Sequence, residues 1–90
     1  MDAADTALID RFADALWLED GLSPNTLAAY RRDLQLLAQW LQPQGLGLLQ
    51  VHEPQLQAYF AERHASTKAT TANRRLTVFK RFYRWAQRQS

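Results

Sequence analysis

Apolar residues recur at helical spacing in four separate stretches of this chain, and no stretch alternates with the period of a strand. The clearest stripe is Leu27, Tyr30, Leu34, Leu37 and Leu41, which follow one face of a helix for about four turns. Its start is also legible. Gly21 can take the positive φ that ends a preceding helix, and Ser23 can accept a backbone N–H two or three residues on. Pro24 falls at the first helical position, where no N–H is needed. The opposite face carries Asn25, Ala29, Arg32 and Gln39 with Ala28 alongside, small or polar groups that allow close approach to another polymer.

Upstream, Leu8, Ile9, Phe12, Ala15 and Leu16 predict a first helix over residues 6–19, capped by Thr6 or Asp5 and acidic on its other side. Trp17 and Leu18 fall off that stripe and are expected at the core edge, under the turn at 20–23 or against the later loop. The second helix runs from 24 to about 42 and stops before Pro43. Residues 43–50 form a connector punctuated by Pro43, Gly45 and Gly47, whose leucines are expected to close one end of the core. A third helix is predicted from Glu53 to Arg63, with Val51 and Leu56 stapled around a weak cap at His52, and Leu56, Tyr59 and Phe60 facing inward.

Ser66 and Thr67 interrupt the pattern, and a fourth helix is predicted over 68–88. With Leu76 as the core direction, Ala72, Phe79, Tyr83 and Ala86 share its face, and Thr70, Arg74, Thr77, Arg81, Arg84 and Arg88 fall on a flank roughly 80–160° away. Val78, Phe82 and Trp85 make a second apolar line roughly 120–160° from Leu76. Such a line either packs beneath another helix or serves a missing partner; the second is expected, with Trp85 partly exposed and a point of weak self-association. The fold class expected is all-α, a small four-helix bundle, with residues 1–90 as one domain.

Hydrophobic residues at 47% and charged residues at 22% place the chain among globular sequences, not disordered ones. Net charge is only +2, but it is unevenly spread. Residues 1–22 hold six acids against Arg11 alone, and residues 23–65 balance three against three. Residues 66–90 hold Lys68, Arg74, Arg75, Lys80, Arg81, Arg84 and Arg88 with no acid. A segment this basic suits a polyanion; a second reading is that the acidic first helix neutralises the basic last one within the fold.

Other chemistry is sparse. There is no cysteine, which excludes a disulfide framework and a thiolate metal site and fits a reducing cytosol. No apolar run approaches the roughly 20 residues that cross a bilayer, so a soluble chain with no membrane contact is expected. His52 and His64 sit at opposite ends of one helix with no carboxylate at ligand spacing, and are expected to be surface residues. Gly45, Leu46 and Gly47 do not make a phosphate loop, because no strand precedes them. Tyr30, Tyr59 and Tyr83 all fall on apolar stripes and are expected to form core rather than act as nucleophiles.

The run from Gly21 to Leu34 (GLSPNTLAAYRRDL), with Lys68 to Leu76 (KATTANRRL) downstream, closely resembles the N-terminal core-binding domain of tyrosine recombinases of the Xer type, a SAM-like bundle. The resemblance spans almost the whole chain. It implies that two crossed helices, matching the second and fourth here, lie on the major groove of double-stranded DNA, while a separate C-terminal domain closes as a clamp. Carried over by position, Asn25, Thr26, Ala28, Ala29 and Arg32 match the first DNA-facing helix, and Thr70, Thr71, Arg74 and Thr77 the second. Ser23 matches the cap and can share its hydroxyl or the neighbouring N–H groups with a phosphate. Lys80 and Arg81 match a basic stretch, of which Arg81 faces the contact; Arg75 matches a position that faces DNA less regularly.

The same resemblance implies that the tyrosine nucleophile and the groups around it belong to that C-terminal domain, with the linker to it beginning at Ser90. No catalytic residue, cofactor or metal is therefore expected within the chain. The partners implied are a recombination half-site, the catalytic domain of the same parent chain and partner recombinase protomers, in the cytoplasm, at the resolution of chromosome dimers before cell division. A rival of a different class is a helical interaction module that docks a protein through its aromatic C-terminal helix.

Overall fold

Asp2 starts the first helix, α1 (Ala3–Asp20): its Oδ1 accepts the Asp5 N–H at 2.9 Å, and its carbonyl accepts from Thr6 N at 3.2 Å. The start lies three residues ahead of the position expected, and neither Thr6 nor Asp5 is the cap. Asp5 has other work. It is buried, and its Oδ1 accepts from Leu48 N at 3.0 Å, tying the connector to the first turn of α1. The helix ends as expected at Gly21, whose φ of 63° is the left-handed conformation that favours glycine. The structure is a computed structural model that describes residues 2–89, so the expected linker start at Ser90 lies outside the described residues.

Ser23 caps α2 (Pro24–Leu41), accepting from Thr26 N at 3.2 Å with Pro24 in the first turn. Leu27, Leu34, Leu37 and Leu41 are buried as the stripe predicts, and Tyr30 is half-buried. Short 3₁₀ turns at Gln42–Gln44 and Leu48–Gln50 carry the connector, where Leu48 is buried and Leu49 exposed. In α3 (Glu53–Arg63) the His52 side chain caps nothing; Gln55 reaches back to accept the His52 N–H at 2.8 Å. A third 3₁₀ turn, His64–Ser66, leads to α4 (Ala69–Arg88). The described residues thus form an all-α bundle of four helices, with no strand among them.

The orientation of α4 differs from the sequence expectation. Leu76 is 44% exposed, whereas Val78, Phe82 and Trp85 are 0%, 0% and 8% exposed. The reason is aromatic packing from two sides. Phe12 of α1 meets Phe82 edge-on at 5.3 Å between ring centres and Trp85 at 5.6 Å, while Tyr59 and Phe60 of α3 meet Phe79 at 5.9 and 5.6 Å. Trp85 is therefore core, and the expectation that it is partly exposed and mediates self-association is overturned. Trp17 and Leu18 are corrected the other way. At 52% and 79% exposure they lie on the outer side of α1, not at a core edge.

Candidate nucleic-acid interface

The helix wheel of α4, reset on its true core direction, puts Val78 and Phe82 inward. Arg74, Arg81, Thr70, Arg88, Thr77 and Arg84 then follow one another around one flank, beginning next to the core. Arg74 and Arg81 border α2. The Arg74 guanidinium donates to Asp33 through Nε to Oδ2 and Nη2 to Oδ1, both at 2.8 Å, and Arg81 lies over the Tyr30 ring with 5.9 Å to its centre. Moving down α2 from Tyr30 to Asp33 moves up α4 from Arg81 to Arg74, so the two helices pass each other in opposite senses. Arg81 also pairs with Asp20 at the end of α1.

This arrangement distinguishes the two readings of the charge pattern. Asp10 pairs with Arg31 and Asp20 with Arg81, while Asp33 takes Arg74 and, at 3.3 Å, Arg75. Internal neutralisation thus engages three of the seven cations in the C-terminal segment. Among the described residues Lys68, Lys80, Arg84 and Arg88 are exposed and make no ion pair.

The remaining expected contact residues are placed as follows. Asn25, Ala28 and Arg32 are exposed on α2, with Thr26 and Ala29 half-buried beside them. The Ser23 hydroxyl is committed to the cap, to Thr26 N and, at 3.0 Å, to Thr26 Oγ1. On α4, Thr70 and Thr77 are exposed, and Thr77 Oγ1 donates to the Asn73 carbonyl at 3.2 Å. Thr71 is half-buried, on the side that also carries Arg75 and Val78.

Asp33 is the residue that periodicity did not single out. Its carboxylate is fully buried, yet it satisfies two guanidiniums from a helix 41 residues away in sequence. Its hydrogen bonds raise the already high pKa of Arg74, so that guanidinium stays charged throughout the working range. Sequence alone did not mark it, because an acid at the edge of an apolar stripe ordinarily faces solvent and its partners lie 41 and 42 residues away.

The other ionisable groups show no reactive arrangement. Tyr59 is fully buried under the Arg63 guanidinium, which lies 4.2 Å from its ring centre, and its hydroxyl has no partner; burial raises its pKa. Tyr83 donates to the Leu48 carbonyl at 2.8 Å, and burial pushes its pKa up as well. Tyr30 is half-buried under Arg81. Among the described residues no three His, Asp or Glu side chains come together as a metal site. No helix among them is long and apolar enough to cross a membrane.

Residues 9–90 match the family described as phage integrase, N-terminal SAM-like domain. The chain belongs to this family. The resemblance carried by residues 21–34 and 68–76 is borne out along nearly the whole length. Curated relatives agree: the chain is 61% identical over 84 residues to the tyrosine recombinase XerD of Ralstonia nicotianae, covering 93% of this chain and 27% of that protein. It is 47% identical to XerD of Proteus mirabilis, covering 91% of this chain and 26% of that one. It is 41% identical to XerD of Yersinia pestis, covering 99% and 30%. The chain thus spans less than a third of the length of these relatives. No solved structure gives a significant match.

Proposed function

We propose that this chain is the DNA-binding domain of a XerD-like tyrosine recombinase, gripping a recombination half-site in the major groove between α2 and α4. In this reading α2 offers its N-terminus, with Ser23, Asn25 and Thr26, and the small residues Ala28 and Ala29 that let its backbone approach the groove; Arg32 supplies a cation. From α4 come Thr70, Thr71, Arg74, Thr77 and Arg81, and the free cations Lys80, Arg84 and Arg88 reach phosphates on either side. Strand cleavage belongs to the catalytic domain of the parent chain. A XerC-like partner protomer completes the complex, and the process served is the resolution of chromosome dimers in the cytoplasm before division.

The observation that carries the reading is electrostatic. Among the described residues four cations of the last segment, Lys68, Lys80, Arg84 and Arg88, are exposed and make no ion pair, the acids that do pair being Asp10, Asp20 and Asp33. Binding of a labelled duplex, followed by fluorescence anisotropy between 50 and 200 mM salt, tests it. Affinity should fall steeply with salt, and Arg84→Gln and Arg88→Gln should each flatten the log–log slope by about 0.9. Binding that ignores salt, or variants that leave the slope unchanged, would remove the claim.

Docking of a protein through the aromatic residues of α4 has less support, since Phe79, Phe82 and Trp85 are spent on the core. What remains for it is a groove of about 680 Å³ between α3 and α4, lined by Leu56, Phe60, Leu76 and Tyr83 among others, on the side of α4 away from the arginine flank.

A further inference from the structure

Unlike Arg81, which pairs with the exposed Asp20 through one nitrogen, Arg74 is held by two hydrogen bonds to a buried carboxylate, alone among the described cations of the α4 flank. Its Nε and Nη2 both bond to Asp33 at 2.8 Å, and the Asp33 carboxylate is 0% exposed, so water does not compete for it. A guanidinium has five N–H groups in one plane. Asp33 occupies the Nε–H and the adjacent Nη2–H. The second Nη2–H and one Nη1–H are left parallel on the end of the fork, the spacing that matches the O6 and N7 acceptors of guanine. The Arg74 side chain keeps 40% of its surface exposed against 1% for Asp33, so the free end lies away from the carboxylate.

Charge would cancel this if the pair stood alone. It does not. Arg75, whose side chain is only 15% exposed, donates to Asp33 Oδ1 from the inner side at 3.3 Å. The cluster of two arginines and one aspartate keeps a formal charge of +1, displayed where Arg74 emerges. Lys80, Arg84 and Arg88 have no such anchor and suit phosphates, whose positions carry no sequence information.

We infer that Asp33 is a positioning residue that fixes Arg74 as a guanine-reading fork, so that this one arginine selects a base while the free cations supply affinity. The inference rests on the DNA-binding reading and gives it a sequence preference. A single well-aimed fork of this kind favours guanine over the other bases by roughly 5- to 150-fold.

The test is selection of duplexes from a randomised 12-base-pair library by the 90-residue chain, followed by affinity measurements on the selected duplex. The wild type should show a guanine requirement at one position, and replacing that guanine with 7-deazaguanine, which lacks the N7 acceptor, should abolish most of the preference. Arg74→Lys should lose the preference at that position alone. Asp33→Asn, if circular dichroism shows it folded, should lose the same preference with Arg74 still present. Should Asp33→Asn unfold, the Arg74→Lys and 7-deazaguanine results decide. A wild type that binds duplex with no guanine preference, or an Arg74→Lys variant that weakens all sequences equally, overturns the inference and leaves DNA binding intact. Absence of binding to any duplex overturns both.

Discussion

The Tyr83 hydroxyl donates to the Leu48 carbonyl at 2.8 Å, joining the last helix to the buried leucine of the connector. Burial raises the Tyr83 pKa above its ordinary value of 10.0. The folded state therefore holds this proton more tightly than the unfolded chain. The linked stability is complete below pH 10 and is lost as the pH rises above it, because the unfolded phenol ionises first. Urea midpoints should fall between pH 8 and pH 11. Tyr83→Phe should cost about 1 kcal/mol at pH 8 and show a smaller alkaline fall. An identical fall in both proteins would contradict the assignment.

Tyr59 makes the opposite prediction at neutral pH. Its hydroxyl is buried with no hydrogen-bond partner, so removing it relieves a desolvation cost. Tyr59→Phe should leave stability unchanged or raise it by up to about 1 kcal/mol in a denaturant melt. Destabilisation beyond about 1 kcal/mol would mean that the hydroxyl is satisfied in solution.

Ser23 is the sole side-chain cap of α2, accepting from Thr26 N at 3.2 Å. Ser23→Ala should destabilise the fold by about 1 kcal/mol, and Ser23→Gly by only a few tenths. Equal effects of the two substitutions would argue against a capping role.

The corrected orientation of α4 is tested by two truncations. Phe82 is fully buried against Phe12 and Trp85, and Phe82→Ala should cost about 3–5 kcal/mol. Leu76 is 44% exposed, so Leu76→Ala should change stability by less than about 1 kcal/mol. The reverse ranking would restore the orientation that periodicity suggested.

That reversal shows where sequence reasoning runs out. The starts of α2 and α3, the Gly21 stop and the Ser23 cap were legible because each follows from a residue and its near neighbours, whereas α1 begins three residues ahead of the expected start, capped by Asp2. The stripe of α2 was legible because Leu27, Tyr30, Leu34, Leu37 and Leu41 recur at helical spacing over about four turns, although Leu36 and Trp40 lie off it. Apolar residues on α4 span one contiguous arc of about 200°, wider than one helix face buries, so periodicity leaves open which part of it is inside; that is decided by Phe12 and Tyr59, which approach from other helices. Asp33 was missed for a related reason. Periodicity treats an acid as surface, and only the fold brings Arg74 and Arg75 to it. On α1, Asp5 was expected at the helix start as a cap, and its actual partner, Leu48 N, lies 43 residues away.

The face between α2 and α4 can be examined residue by residue, by following backbone amide shifts of the labelled chain as a duplex selected by it is titrated in. The account predicts that shifts concentrate at residues 23–32 of α2 and along the flank of α4 from Thr70 to Arg88, with the amides of Val51 to Phe60 little changed. Shifts centred on the groove lined by Leu56, Phe60 and Leu76, with the arginine flank silent, would contradict it.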